Sequence, residues 1–417
     1  MVINASNKFG SPGDLRRVHR GLILRYIHSA TYQSRTQLAD QTGLSAMAVT
    51  RIIRELLEAG LVEEVGKRDR EGNPGRRQTE LRIRPAGSFV IGLVISAFGH
   101  EVALMNANGV PLARRKLFFG TGTNADQAIE VVSTTINTLV EEEKVDKSRL
   151  LGIGIAIAAF VESMTGTVVQ APYLGWSKVD LGRRIYEKTG FPVIAENIAN
   201  AINLTEFPKN APQTINDVFM VHVSVTVGAS YMHQGNLVHG ANYSAGQIGH
   251  LPIKESSLIC SCGSNDCLNT QASGWSVLAN LGLIDSTVFE PEKIEAYAGQ
   301  LERLITEASA QGTAESDHLF KAGWHLGHAL LNVSLVVDPE LVLLAGKMPQ
   351  SPAYLSGCRA AWTDPSLHRF GKTPELVAGT VAPLSAAGFL ALDHFLYSTR
   401  LDIHSLSATD NLTTSRG

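Results

Sequence analysis

The residues best suited to metal chemistry in this 417-residue chain lie close together in its second half. His250 is followed by three cysteines within eight positions, Cys260, Cys262 and Cys267. One imidazole and three thiolates at this spacing are typical of a four-coordinate structural zinc site, which leaves no open position for a catalytic water. The alternative is a set of incidental cysteines on a loop. The pattern favours one structural zinc ion per chain.

The charge distribution indicates a second kind of site near the N-terminus. Residues 1–85 contain 15 Lys and Arg against 9 Asp and Glu, whereas residues 86–417 contain 21 against 30. A basic segment attached to an acidic remainder suggests that the segment meets a polyanion and that the remainder does not. Nucleic acid is the partner that this asymmetry favours.

Sequence signals in the basic segment predict two short helices joined by a tight turn. After a helical repeat over residues 14–29, Ser34 begins a second helix and Gly43 provides the turn. Ser45 is then the N-cap of a third helix that runs to about residue 59. Such a pair is a helix-turn-helix, whose second member enters the major groove of double-stranded DNA.

A β-hairpin wing is predicted to follow. Residues 60–65 and 78–84 have strand-like sequences, and the loop between them, residues 66–77, carries five Lys and Arg. A basic wing tip reaches the minor groove, whose negative potential attracts arginine. The alternative is a helical hairpin with a mobile basic loop. The side chains predicted to contact DNA are Arg35, Ser45, Ala46, Met47, Thr50, Arg51, Arg54, Arg76 and Arg77.

The rest of the chain, after a break at residues 85–87, alternates strands and helices. Apolar runs predict strands near residues 89–95, 101–105, 151–158, 218–225, 230–233 and 341–345, and helices near 125–143 and 385–396. The order of elements begins again near residue 217, so we predict two α/β lobes around a cleft. The chain therefore divides into a winged helix-turn-helix domain, residues 1–85, and an α/β body, residues 86–417.

The cellular compartment follows from what the sequence lacks. No apolar run is long enough to cross a membrane, and the N-terminus has no apolar core of a signal peptide. Clustered cysteines of the metal-binding kind suit a reducing compartment. We therefore expect a cytoplasmic protein that does not contact a membrane.

Several stretches resemble one known family. The segment with His250 and the three cysteines is similar to the pattern G-E-x-G-H…C-x-C-G-x-x-G-C-x-E. Residues 171–174 are similar to A-P-N-L, and residues 196–200 are similar to E-N-D-A-N. Residues 338–342 resemble a stretch near the nucleotide region of the same family. On these motifs the chain resembles the ROK family, which contains sugar kinases and sugar-responsive repressors on one actin/hexokinase-like fold. The resemblance implies zinc ligation by His250, Cys260, Cys262 and Cys267, and a winged head is the mark of the repressor branch.

Departures from the kinase pattern bear on enzyme activity. The aspartate of E-N-D-A-N, which takes the sugar hydroxyl's proton in the family kinases, is replaced by Ile198, and isoleucine accepts no proton. The first phosphate loop, D-x-G-G-T in the family, corresponds to residues 94–98 and has bulky Phe98 and no carboxylate. The second, residues 224–230, keeps a single glycine, although backbone N–H groups cradle phosphates only where side chains leave room. We therefore predict that the chain is not an enzyme.

The resemblance also locates a sugar pocket, which is altered. Asn197 and His250 match family sugar contacts, Gln247 and Asn269 replace two glutamates, and Tyr173 replaces an asparagine. Amides are neutral and both donate and accept, unlike the carboxylates that bind sugar hydroxyls strongly. A changed or phosphorylated ligand, or none, is consistent with these residues, and the amides could equally be structural or solvated.

Taken together, these features predict a zinc-stabilised repressor that binds a double-stranded DNA operator as a homodimer or a dimer of dimers. A sugar or sugar-phosphate effector in the cleft would alter the spacing of the two heads. One rival is an ATP-dependent ROK sugar kinase with a fused head, for which the carboxylate missing at position 198 is the discriminating feature. Another rival is a body that docks a regulatory protein and binds no small ligand.

Overall fold

The computed structural model describes residues 12–30, 33–68, 78–210, 215–307, 313–367, 373–403 and 406. Its first elements form the head and are helices α1 (Pro12–Ser29), α2 (Arg35–Thr42) and α3 (Ala46–Glu58) and strands β1 (Gln33–Ser34), β2 (Val62–Arg68) and β3 (Gln78–Ile83). The three strands form one antiparallel sheet in the order β1-β3-β2. The predicted helices and wing strands are thereby confirmed, whereas Arg76 and Arg77 at the wing tip lie outside the described residues.

Local capping signals explain why the helix-turn-helix begins and ends as the sequence predicts. Ser34 accepts a hydrogen bond from the Gln37 backbone N–H, and the Gln37 side chain accepts from the Ser34 backbone, which is a capping box. Gly43 ends α2 in the left-handed conformation, with φ of 68°. Ser45 accepts from the backbone N–H of Ala48 and so starts α3.

The first lobe of the body is built on a five-stranded sheet in the order β11-β7-β4-β5-β6. Its strands are β4 (Phe89–Ser96), β5 (Gly99–Asn106), β6 (Pro111–Leu117), β7 (Leu150–Ile157) and β11 (Val193–Asn197), and its helices are α4 (Ala125–Glu142), α5 (Leu181–Thr189) and α6 (Ile198–Asn210). A small sheet of β8 (Phe160–Glu162), β9 (Thr167–Ala171) and β10 (Trp176–Val179) is attached. Strands β4, β7 and β11 run parallel, so their carboxyl ends meet at one edge.

The second lobe repeats this plan with a five-stranded sheet in the order β14-β13-β12-β15-β16. Its strands are β12 (Val218–Val223), β13 (Val227–His233), β14 (Asn236–Leu237), β15 (Leu341–Ala345) and β16 (Glu375–Ala378), and its helices are α7 (Asn269–Ala272), α8 (Gly274–Asn280), α9 (Ile294–Glu307), α10 (Ala314–Val337) and α11 (Pro352–Trp362). Helix α12 (Pro383–Ala391) returns to the first lobe and packs on β4 and β7. The two predicted α/β lobes are confirmed.

Element boundaries differ from the sequence predictions at two turns. The strand predicted to reach residue 225 ends at Val223, because the Ser224 N–H donates to the Thr226 carbonyl at 3.0 Å and forms a hairpin turn. The helix predicted over 385–396 is α-helical only to Ala391 and continues as a π-helix, Leu392–Leu396. No helix among the described residues is long and apolar enough to cross a membrane.

The hydrophobic core of the head is continuous with that of the body. Helix α1 lies against the segment that follows α12: Arg20 donates to the Leu401 carbonyl, and Arg25 pairs with Asp393. Buried Arg149 also joins the two parts, because it donates to the carbonyls of Gly87 and Ala59 at 3.0 and 3.4 Å. These contacts fix the head on the body through α1 and the end of α3 rather than through a free linker.

Gly21 allows this close approach, and its replacement should loosen the head. A Cβ at Gly21 would lie 2.3 Å from the Tyr397 carbonyl oxygen, so Gly21→Ala must displace backbone. We expect the free energy of unfolding to fall by about 1–3 kcal/mol, as for an overpacked core. Gly299 is the matched control, since it is also helical and a Cβ there meets nothing within 4 Å. Gly299→Ala should stabilise by roughly 0.5–1 kcal/mol; equal urea midpoints for the two variants would contradict this packing.

Candidate DNA interface, ligand cleft and metal centre

The outer face of α3 is the candidate DNA surface. Val49, Ile52 and Ile53 are buried beneath it. The opposite face presents every residue that the sequence assigned to this helix and its cap, namely Ser45, Ala46, Met47, Thr50, Arg51 and Arg54, all of them exposed. Met47 is 82% exposed. An apolar side chain at this place can contact a thymine methyl group in the major groove.

Ion pairs distinguish the arginines of the head. Arg51 remains highly exposed, and its Nε lies 3.9 Å from Glu55, whose carboxylate also pairs with Arg16. An exposed pair at this distance is weak, so Arg51 is free to turn towards a base or a phosphate. Arg35 instead donates to Glu64 at 2.8 Å and links α2 to wing strand β2. Its predicted DNA contact would have to compete with that pair.

A cleft of about 270 Å³ lies where the two lobes meet. It is lined by all five residues that the sequence assigned to the ligand, Tyr173, Asn197, Gln247, His250 and Asn269. These come from both lobes and from widely separated parts of the chain. The fold therefore brings the predicted pocket residues together, in a space of the size of a small polar molecule.

The amides of this cleft are not equivalent. Asn197 donates to the Ala159 carbonyl at 2.8 Å and caps α6 by accepting from the Ala199 N–H. Asn269 accepts from the Val227 N–H at 2.8 Å and is buried. Both asparagines therefore have structural roles, which was the alternative to ligand binding in the sequence analysis. Gln247 is exposed, and its side-chain amide makes no hydrogen bond to a described residue, which leaves that amide open to a ligand.

Two neutral polar groups add to the cleft wall. The Tyr173 hydroxyl is buried without a hydrogen-bond partner among the described residues. Burial, and then Glu295, raises the pKa of Tyr173 well above its usual range, so the hydroxyl remains a donor. Burial lowers the pKa of His222 to about 4 and keeps its imidazole neutral at physiological pH. Sequence reasoning missed His222, because nothing local marks the side of β12 that faces the cleft.

The altered kinase positions also line the cleft. Ile198 is buried at the start of α6, where a catalytic carboxylate would stand in the family kinases. Phe98 lies in the turn between β4 and β5, and its ring is within 5.8 Å of the Lys347 Nζ. The second altered loop is the β12–β13 turn. Its Ser224 hydroxyl accepts a hydrogen bond from the Lys347 backbone N–H at 3.1 Å, which holds the turn in place. Apolar side chains therefore occupy this wall.

The four predicted metal ligands converge to one cluster. The ligand atoms of His250, Cys260, Cys262 and Cys267 all lie within 4.8 Å of one another. The Sγ atoms of Cys262 and Cys267 are 3.3 Å apart, and His250 Nδ1 lies 3.5 Å from Cys260 Sγ and 3.8 Å from Cys267 Sγ. All four cysteines of the chain are free thiols. The cluster can hold a metal ion.

The spacing of the cluster fits a tetrahedral shell of soft ligands. Metal–sulfur bonds of about 2.3 Å place two sulfur ligands about 3.8 Å apart. Burial, with the neighbouring thiols of Cys262 and Cys260, raises the pKa of Cys267 far above its usual range. A bound cation would offset the free energy needed to deprotonate this thiol, because it stabilises the thiolate. Because Nδ1 is the histidine nitrogen that faces the cysteines, Nε2 of His250 is left for the cleft.

Contacts between the lobes were not predicted from the sequence. His239 in the second lobe pairs with Glu196 of β11 at 2.7 Å, and the Tyr243 hydroxyl donates to Glu162 of β8 at 3.0 Å. The hydrogen bond to Glu196, more than its charge, raises the pKa of His239. The pair therefore stabilises the contact between the lobes fully below the usual histidine pKa, and this contribution is lost as the pH rises through the raised pKa of His239.

Family models match most of the chain. A model described as the ROK family matches residues 90–388, and a model described as winged helix-turn-helix DNA-binding matches residues 19–63. The first match lies in the body and the second in the helices of the head.

Individual proteins match along most of the chain. The chain is 24% identical over 386 residues to the xylose repressor of Bacillus subtilis (strain 168), covering 92% of this chain and 97% of that protein. A crystal structure of a ROK family transcriptional regulator, a homologue of E. coli MLC protein, matches with a TM-score of 0.72 at 22% identity over 95% of this chain and all of that one. A ROK family glucokinase from Streptomyces griseus, in complex with glucose and AMPPNP, matches at 0.58 and 22% identity over 73% of this chain and 99% of that one. At these identities the solved structures establish the fold, an actin/hexokinase-like body preceded by a winged head.

Proposed function

This chain belongs to the ROK family, and from that membership we propose that it is a sequence-specific DNA-binding transcriptional regulator whose body senses a sugar or sugar derivative without phosphorylating it. The observation that carries the proposal is the exposed face of α3, Ala46–Glu58, on a winged head fused to a ROK body. A recognition helix of this kind has no use in a metabolic kinase. We propose that the division between head and body lies between residues 85 and 86, in the turn Pro85–Gly87.

The mode of action follows from symmetry and from the contacts of α1. Winged heads read paired half-sites, so the operator-bound form is a homodimer or a dimer of dimers that represses transcription. A ligand that changes the angle between the lobes would move α12 and, through Gly21 and Tyr397, the head. We place the protein in the cytoplasm with its DNA. The alternative mode of regulation is that a regulatory protein docks on the body and no small ligand binds there.

Zinc is the metal that we propose for the cluster. Three thiolates and one imidazole form a donor set that zinc prefers, and they fill its four positions, so the ion is structural. His250 and Asn269 border both this cluster and the cleft, and Asn269 Nδ2 lies 4.0 Å from Cys260 Sγ. The metal would therefore hold one wall of the ligand pocket in place.

The kinase rival is tested by a coupled assay for ADP release. We expect no phosphoryl transfer to hexoses, amino sugars or their derivatives, because the base position is Ile198 and both phosphate loops are altered. Ile198→Asp should not restore activity, since Phe98 and the β12–β13 turn remain. A turnover of about 1 s⁻¹ or more, within the ordinary kinase range, would overturn the non-enzyme proposal.

Binding without turnover is the complementary measurement. In a thermal-shift screen of sugars, amino sugars and their phosphates, a true effector should raise the melting temperature and change operator affinity in a mobility-shift assay. Gln247→Ala should weaken that ligand's effect, because Gln247 is the cleft amide with no structural hydrogen bond. If a ligand raises the melting temperature but leaves operator affinity unchanged, the cleft does not control the head.

A further inference from the structure

A second cavity of about 300 Å³ lies beside the metal cluster, separate from the ligand cleft. Its walls come from residues 254–257, which follow His250, from α7 and α8, and from the first half of α10. The cavity is mostly polar, in contrast to the apolar cleft wall around Phe98. We therefore expect this cavity to bind a more polar ligand than the cleft does.

Cationic side chains dominate this second cavity. Lys254 and Lys321 line it from two different segments, and neither has an ion pair with a described residue. His318 and His325 add two imidazoles, and Glu255 is its one carboxylate among the described residues. Burial, and then the charges of Lys321, Lys254 and His328, lowers the pKa of His325. Unpaired lysines that converge on a concavity attract an anion.

Hydroxyl groups complete the lining. Ser256 accepts from the Leu258 N–H at 2.9 Å, which leaves its own O–H to donate, and Ser257 is exposed at the rim without a hydrogen bond to a described residue. Gln271 donates to the Lys254 carbonyl at 3.2 Å and so holds that segment against α7. Two ammonium groups with nearby hydroxyl donors match a tetrahedral oxyanion, since both kinds of donor bind its oxygens.

We propose that this cavity binds a small phosphorylated metabolite, with the phosphate held between Lys254 and Lys321. A phosphate monoester carries close to two negative charges at neutral pH, which offsets two lysines, whereas a single carboxylate offsets one. The remaining volume accommodates a short polyol or sugar next to the phosphate. A nucleic-acid backbone or a membrane surface would need an extended cationic face, not a single small cavity.

The position of α7 gives the second cavity a regulatory consequence, which rests on the proposed function. This four-residue helix supplies Asn269 to the ligand cleft and Thr270 and Gln271 to the second cavity. Helix α7 begins two residues after Cys267, a proposed metal ligand. Its Asn269 accepts a hydrogen bond from the Val227 N–H, next to the β12–β13 turn. A phosphate ester bound on one side therefore acts on the same short helix as an effector in the cleft.

The experiment is a calorimetric titration of the full-length, metal-loaded protein with glycerol 3-phosphate and inorganic phosphate, at constant ionic strength, with glycerol as the neutral control. We expect saturable binding of both phosphate compounds and none of glycerol. Lys254→Gln/Lys321→Gln should weaken binding at least about tenfold, because two charged hydrogen-bond donors are removed. The matched control, Lys116→Gln/Lys144→Gln, removes the same charge from exposed positions far along the chain and should bind as the native protein does.

Three results would overturn the proposal. The first is an absence of saturable phosphate binding up to about 10 mM. The second is native affinity in the Lys254/Lys321 variant, which would place the anion in the cleft. The third is equal weakening of binding in both double variants. Operator binding of each variant without phosphate separates this from the proposed function. If both variants still bind the operator, the regulator assignment is kept whatever the titration shows.

Discussion

Replacing Cys262 with serine should strip the metal from the body and lower its melting temperature by roughly 10 °C. Cys262 is exposed, so the substitution itself disturbs little packing, and the loss comes from an incomplete ligand set. Without the ion, the thiols of Cys260 and Cys267 remain buried with no cation to bind, and the loop between them loses its fixed point. Elemental analysis of protein purified without added metal should find about one zinc per chain in the native protein and little in the variant.

A second cysteine provides the matched control. Cys358 is fully buried on α11, away from the cluster, and burial raises its pKa to about 12, so it remains a neutral thiol. Cys358→Ala should keep the metal, although it loses a small amount of core packing. A chelator should reproduce the Cys262 effect in the native protein and have no further effect on the variant. A native protein that is metal-free and equally stable would refute the zinc assignment.

Removing the head should abolish operator binding altogether, since residues 86–417 are acidic and lack the recognition helix. Within the full chain, Arg51→Ala should weaken specific binding by on the order of 1–3 kcal/mol if Arg51 reads a base edge. Its only described partner is Glu55, at 3.9 Å, so the substitution should leave the fold intact. For about six neutralised phosphates, the logarithm of affinity should fall with the logarithm of salt concentration at a slope near −5.

Mobility-shift and filter-binding measurements on matched variants test this interface. Arg183→Ala removes a similarly exposed arginine from the body and should leave operator affinity unchanged. Met47→Ala should change the preference at a thymine more than the overall affinity, because its contact is apolar. Operator binding by residues 86–417 at native affinity would contradict the assignment of DNA recognition to the head.

Local signals were sufficient for the head and for the metal cluster. The capping residues Ser34 and Ser45 and the turn at Gly43 act within a few positions along the chain, so their effect can be read from the sequence. The metal ligands behave in the same way. Three of them lie within eight residues, and a loop that short must bring them together.

Family resemblance supplied the cleft residues, but the sequence did not show which of them are free. Asn197 and Asn269 differ little from Gln247 as side chains. Only the folded chain shows that the first two are engaged by Ala159 and by the Val227 N–H, respectively, whereas Gln247 is open to the cleft. The DNA-contact assignments at Arg76 and Arg77 remain predictions, as they lie outside the described residues.

The winged head, several strands and helices of the body, the residue types of the metal cluster and the isoleucine at position 198 could all be read from the sequence. Each of these depends on neighbouring positions or on one residue's chemistry. Only the folded chain shows how α1 docks through Gly21 on Tyr397, how His239 joins the lobes at Glu196, and how Lys254 and Lys321 come to line one cavity. Those contacts join residues tens to hundreds of positions apart, and no local propensity encodes them, because they form only when the complete core is packed.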